Sequence, residues 1–192
     1  MGNRGDLHAP DGSLGRYWRG KRWITCLLHK GGRRVPMDTP GSYYPLFFYD
    51  EAVALAAGHR PCAQCRPEAL SQYLRAWKLA HGMRCTSWVS LKQVDEACHS
   101  ARTAGGLERP LATLHEVPDG AFVWMPRIDP RPLLVSYDHL WPWAHSGYAA
   151  PLIAEDCSSS CRLLTPAPIL DTLREGYRPQ LAPELQRVAP AE

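Results

Sequence analysis

The chain has 192 residues, 45% of them apolar and 21% charged, and a formal net charge of +3. It is long enough to bury a real core in one or two domains, and its mild basicity permits an anionic partner without demanding one. No stretch is long and apolar enough to cross a bilayer, and Met1 to Gly20 lacks the apolar centre of a secretory signal, so a cytoplasmic location is expected.

In chain order, Met1 to Arg19 is rich in Gly, Asp and Arg and reads as loose. Arg22 to Leu28 (RWITCLL) predicts a strand carrying Cys26, followed by the basic loop from Lys30 to Arg34. Tyr43 to Tyr49 is an aromatic run with the character of a short strand. Asp50 stands as an N-cap, or a first-turn acid, for a helix from Glu51 to Ala57, with Gly58 at the stop position. Pro67 suits the first turn of a second helix, because its missing N–H has no partner there in any case. Leu70, Tyr73, Leu74 and Trp77 then recur with helical period to about His81, and Gly82 closes the helix. Ser90, with Gln93 three positions on, predicts the capped start of a third helix whose apolar line is Val94, Ala97 and Ala101.

The second half changes character. Gly120 to Met125, Leu133 to Tyr137 and His139 to Trp143 read as strands, with Ala149 to Ile153 a weaker one. Arg162 to Leu164 leads into Thr165, an N-cap, and a last helix from Pro166 to about Glu175, stopped by Gly176. The fold class expected is α+β. Residues 1–85 would form a small zinc-nucleated subdomain, and 86–192 a helix with a small twisted β-sheet and a C-terminal helix.

The most specific chemistry lies in His59–Arg60–Pro61–Cys62–Ala63–Gln64–Cys65–Arg66–Pro67. Two thiolates in Cys-x2-Cys spacing can share one tetrahedral zinc ion, since a tight turn brings both sulfurs to one point at about 2.3 Å. A redox motif is the competing reading and belongs where a strand meets a helix N-terminus; Pro67 does begin a helix just after Cys65, yet the preceding run is itself a helix ending at Gly58, which fits a metal knuckle better. Seven cysteines would leave one unpaired in a disulfide framework. The closing ligands expected are Cys26 and His29, giving Cys26, His29, Cys62 and Cys65 around Zn2+. The alternative leaves Cys26 as a core thiol and His29 on the surface. Cys85 and Cys98 compete as ligands, with core packing the expectation for Cys98, while Cys157 and Cys161 in a serine loop read as thiols without a metal. Glu68 and His59 could orient a ligand from behind.

The run from Phe47 to Pro67, FFYDEAVALAAGHRPCAQCRP, resembles the latter half of the metal-binding domain of the bacterial Ada DNA alkylation-response family. The resemblance covers about twenty residues well and up to a quarter of the chain. It implies a zinc ion with two ligands upstream and this knuckle downstream: Cys62 and Cys65 match the second ligand pair, and Arg60, Pro61 and Pro67 match its frame. The family's first pair is two cysteines separated by three residues, the first of which accepts a methyl group from a DNA phosphotriester. Here Cys26 and His29 are separated by two. A site of three cysteines and one histidine carries less negative charge, which makes its thiolates poorer methyl acceptors.

Arg19, Lys21, Arg22, Lys30, Arg33 and Arg34, with Arg60 and Arg66 beside the knuckle, would form a basic surface in which Trp23 is interleaved. Cations pair with phosphates and aromatics stack on exposed bases, so this mixture suits single-stranded, flipped or modified nucleic acid, DNA above all. Asp95 and His99, four apart on the third helix, could form a general acid–base pair, with His115 as a second candidate. The reading is therefore a zinc-containing DNA-binding protein acting in DNA repair or on modified DNA. The alternatives are a nucleic-acid-processing enzyme using a His/carboxylate site, and a structural or protein-interaction zinc module.

Overall fold

The computed structural model describes residues 1–30, 32–34, 43–104, 110–153 and 159–186. Its N-terminal region holds β1 (Gly2–Asn3), β2 (Ile24–Thr25), the hairpin β3 (His29–Lys30) and β4 (Arg33–Arg34), α1 (Glu51–Ala56) and β5 (Arg60–Pro61). Two longer helices follow, α2 (Pro67–Ala80) and α3 (Leu91–Ala104). Then come β6 (Leu111–Thr113), a 3-10 turn at Leu114–Glu116, β7 (Phe122–Met125), β8 (Asp129–Ser136), β9 (His139–Ala144), β10 (Gly147–Tyr148), β11 (Leu152–Ile153) and β12 (Ser160–Leu163). The described chain closes with α4 (Ala167–Arg174) and α5 (Pro183–Gln186). This is an α+β fold, with an N-terminal strand and helix region, helices, a sheet and C-terminal helices.

Local signals set the helix ends. Asp50 is extended, and its carboxylate accepts the Val53 N–H at 2.9 Å, satisfying an orphan donor of α1. Gly58 ends that helix at φ +79°, a conformation that costs glycine nothing. At α3 the Ser90 N–H donates to Gln93 Oε1, and Ser90 Oγ accepts the Lys92 N–H, so the expected cap forms.

Two expectations for the N-terminal region change. Met1 to Arg19 is not simply loose: Gly2 and Asn3 pair antiparallel with Thr25 and Ile24, and Leu7 is buried. The aromatic run before Asp50 forms no strand, only an isolated bridge between Leu46 and Gly2. In both places the tertiary partner decides, and a local pattern cannot show it.

The seven-stranded sheet runs β10-β9-β8-β7-β12-β6, with β11 also on β9, and its pairings are antiparallel. Register lines up Phe122, Leu134 and Trp141 in one cross-strand row, and Val123 pairs with Leu133 in the next. Since side chains alternate across a strand, the two rows face opposite ways. Val123 and Leu133 join Leu55, Tyr73, Trp77, Val94, Ile169 and Leu173 in the main core, beneath α2, α3 and α4. Phe122, Leu134 and Trp141 pack with Ala52 and Val53 of α1 and Leu185 of α5 in a second cluster. Helix α1 thus contributes to both clusters, which fixes the segment leading into the Cys-x2-Cys turn. Among the described residues no helix is long and apolar enough to cross a membrane.

Candidate metal centre

The site begins with a parallel strand pair. Strand β2 lies beside β5 with Ile24 opposite Arg60 and Thr25 opposite Pro61, so the next residues, Cys26 and Cys62, leave the pair side by side. The Cys62 N–H donates to Thr25 O at 3.1 Å, and the Cys26 N–H to Met1 O at 2.6 Å. The chain then turns through Ala63 and Gln64, the Arg66 N–H closes the turn on Cys62 O at 3.0 Å, and α2 starts at Pro67. The result brings the sulfurs of Cys26, Cys62 and Cys65 within 4.8 Å of one another.

Tetrahedral zinc–thiolate geometry, with bonds of about 2.3 Å, sets sulfurs about 3.8 Å apart, so this cluster needs only a small contraction to hold a divalent ion. Backbone N–H groups already point at the sulfurs, from Leu27 to Cys65 Sγ at 3.3 Å and from Gln64 to Cys62 Sγ at 3.4 Å. Such bonds favour thiolate over thiol, as ligand-orienting groups around a metal do. Burial opposes ionisation of Cys62, but the N–H groups of Cys65 and Gln64, together with hydrogen bonds from the Cys65 and Cys26 thiols, outweigh it and lower its pKa. Burial, with the Cys62 and Cys65 sulfurs nearby, pushes that of Cys26 up. Three crowded sulfurs resist sharing negative charge until a cation arrives, and the donor set fits a soft-ligand divalent ion such as zinc.

His29 does not belong to this cluster. It is exposed in β3, where it pairs with Arg34 across the hairpin. Among the described residues no other His, Cys, Asp or Glu joins the three thiols. Cys85 is exposed, and Cys98 is buried in the main core, where burial pushes its thiol up to about 11. Cys161 is buried in β12, and Cys157 lies outside the described residues. Glu68 is exposed at the start of α2.

The arginines around the knuckle are structural. Arg60 is 3% exposed and grips Asp95 of α3 with two bonds, Nε–Oδ1 at 2.8 Å and Nη2–Oδ2 at 2.9 Å. Arg66 donates to buried Glu51 at 2.8 Å, and Glu51 also accepts the Tyr177 hydroxyl and the Gln180 N–H. Neither guanidinium is free to meet a phosphate. Trp23 is buried as well, with the guanidinium carbons of Arg4 and Arg102 at 3.8 and 4.0 Å from its ring centroid. Arg4 was not singled out from the sequence, whereas helical spacing does place Arg102, seven residues after Asp95, within reach of Asp95 and His99. His59 is fully buried against Trp23 and Phe48, and its Nε2 accepts from Arg4 Nε at 3.1 Å.

Arg19, Lys21 and Arg22 are exposed. Arg19 meets Asp6 at 3.3 Å and Lys21 meets Glu96 at 3.5 Å. Lys30, Arg33 and Arg34 lie on the β3–β4 hairpin, and their side chains are outside what the structure describes.

The expected Asp95–His99 pair does not form, because Arg60 takes both carboxylate oxygens. His99 sits edge-on to Trp18 and Trp23, and its Nδ1 faces Arg102 Nη2 at 3.3 Å. Its pKa is lowered by burial, then by Arg102 and Lys21. His115 is exposed on the 3-10 turn and has no hydrogen bond or ring contact with His99 or Asp95 among the described residues. A cavity of about 630 Å³ lies between α1 and the sheet, lined by Phe47, Phe48, Phe122 and Trp143 among others, and none of the described cysteines borders it.

Compared with known proteins, the chain matches no family model, no curated protein and no solved structure.

Proposed function

We propose that the chain is a zinc-stabilised structural module, in which one ion on Cys26, Cys62 and Cys65 ties the β1–β2–β5 sheet to the start of α2. The observation that carries this reading is the convergence of the three sulfurs from two separate chain segments, with N–H groups already directed at them. The Ada-like knuckle supports zinc among the metals that such a donor set accepts. Binding free energy of on the order of ten kcal/mol or more for structural zinc would make the N-terminal region's stability depend on the metal. Freshly purified protein should hold close to one equivalent of zinc by elemental analysis. Cys26→Ala, Cys62→Ala and Cys65→Ala should each lose it, while Cys85→Ala and Cys161→Ala retain it. Folded, metal-free protein recovered after mild purification would defeat the reading.

A second reading, nucleic-acid binding, is favoured by one observation. Tyr17, 75% exposed, and Trp18, 42% exposed, stand among exposed Arg16, Arg19, Lys21 and Arg22. Rings to stack on bases and cations to meet phosphates occur there in one short segment. Affinity for a labelled single-stranded DNA should then fall steeply with salt, because each neutralised phosphate releases counterions, and Trp18→Ala should weaken it. A flat salt dependence leaves the structural module alone. The Asp95–His99 pair expected for an enzymatic role does not form, since Asp95 is committed to Arg60.

A further inference from the structure

The three thiols are not enclosed. A cleft of about 340 Å³ opens directly on them, and its walls include Cys26, Cys62 and Cys65 together with Asn3, Arg22 and Gln64. Among the described residues no carboxylate lines this cleft. Arg60 also borders it, but its charge is matched by Asp95. Arg22 is exposed and meets no carboxylate among the described residues, so it is the uncompensated side-chain cation of the cleft.

Three thiolates fill three corners of a tetrahedron, and structural zinc sites fill the fourth from the protein, whereas open sites take it from solvent or a ligand. Here no fourth His, Cys, Asp or Glu joins the cluster among the described residues. We propose that the fourth position of the metal is an exchangeable ligand site, reached through this cleft, for a small molecule with an anionic donor atom, and that Arg22 supplies the counter-charge. The inference rests on the metal reading above and adds to it a binding role.

Charge and softness define the ligand. A divalent ion with three thiolates carries one net negative charge, which would repel an incoming anion; the Met1 ammonium beside Cys26 and the Arg22 guanidinium offset it within the cleft, Arg22 being the side-chain contribution. A thiolate-rich ion prefers a soft donor, so sulfur, as in a small thiol bound as its thiolate, should bind ahead of a phosphate or carboxylate oxygen. Asn3 and Gln64 border the space that the rest of such a molecule would occupy.

The test uses the full chain with cobalt(II) in place of zinc, because cobalt's visible bands report the number and kind of its donors. Mercaptoacetate, thiocyanate and inorganic phosphate are titrated separately while bound cobalt is measured. The expected result is a saturable spectral change with mercaptoacetate and thiocyanate at lower concentration than with phosphate. Arg22→Gln should keep one equivalent of cobalt and weaken thiocyanate binding roughly fivefold, the size expected of one exposed charge. Full cobalt binding with a spectrum that none of the three ligands moves, but that His29→Ala or Tyr43→Phe changes, would place a protein donor in the fourth position and overturn the proposal. Unchanged thiocyanate affinity in Arg22→Gln would overturn the role of Arg22. Failure to bind cobalt at all would instead defeat the metal reading on which the proposal stands.

Discussion

Replacing Asp95 by Asn tests how the knuckle is held. Asp95 accepts two charge-assisted bonds from Arg60, whose side chain is only 4% exposed against 11% for Asp95. The substitution leaves the guanidinium buried with its charge uncompensated, and breaking a buried pair from one side costs about 3–5 kcal/mol. The bond from Arg60 Nη1 to Pro61 O at 3.0 Å survives, and the remaining amide oxygen can still accept one of the two guanidinium bonds, which argues for the lower end of that range. Followed by tryptophan fluorescence in urea with zinc present, and with a slope of roughly 3 kcal/mol per molar, the midpoint should fall by about 1 M. The double variant Arg60→Met/Asp95→Leu removes both charges and keeps apolar volume, so it should recover most of that loss. A single variant within about 0.3 M of wild type, or a double variant as unstable as the single, would refute the view that this pair anchors β5 to α3.

Two further outcomes follow from groups nearby. Burial, with Arg4 and Arg102 beside it, holds His59 well below its ordinary value of 6.5. The folded chain then keeps the ring neutral where the unfolded chain takes up a proton, so stability is full above pH 6.5 and declines below it, by up to about 1.4 kcal/mol per pH unit. His59→Gln should flatten that decline between pH 6.5 and 5.5 in urea unfolding, and an unchanged slope would assign the proton elsewhere. Gly58→Ala forces a side chain into φ +79° with a Cβ 2.2 Å from Arg102 Cδ. It should cost at least about 2 kcal/mol and lower the melting temperature by roughly 4–8 °C, against which a shift under about 1 °C would count.

What the sequence disclosed is what neighbours in sequence decide. The Asp50 cap, the Gly58 stop, Pro67 at the head of α2 and the Ser90–Gln93 cap all act within one helical turn, and each appears where expected. The strand runs around Phe122, Leu134 and His139 were legible because their apolar residues are dense and their turns are marked. Cys26, Cys62 and Cys65 were legible as donors by type and spacing. His29 was paired with Cys26 by spacing alone, and the β3–β4 hairpin holds it outside the thiol cluster. Arg60 and Arg66 were read as phosphate-facing because charge on a sequence has no direction. Asp95 and Glu51 turn them inward, and only the assembled fold brings those carboxylates to them. Asp95 is likewise withdrawn from His99 by a partner that helix periodicity cannot reveal.

The side-by-side exit of Cys26 and Cys62 from their strands would make a metal bound to the three thiols a proofreader of strand register. Sliding β2 by one residue along β5 would bring Thr25 or Leu27 to the place of Cys26, and leave the ion two sulfurs instead of three. The backbone ladder of so short a pair distinguishes such neighbours weakly, whereas loss of a zinc ligand is felt on the scale of several kcal/mol. Because the two segments are far apart along the chain, bringing them together costs loop-closure entropy, and only the alignment that presents all three sulfurs recovers the full binding energy of an ion. Chain refolded without metal would therefore sample several alignments of this sheet, and added zinc would gather them into one.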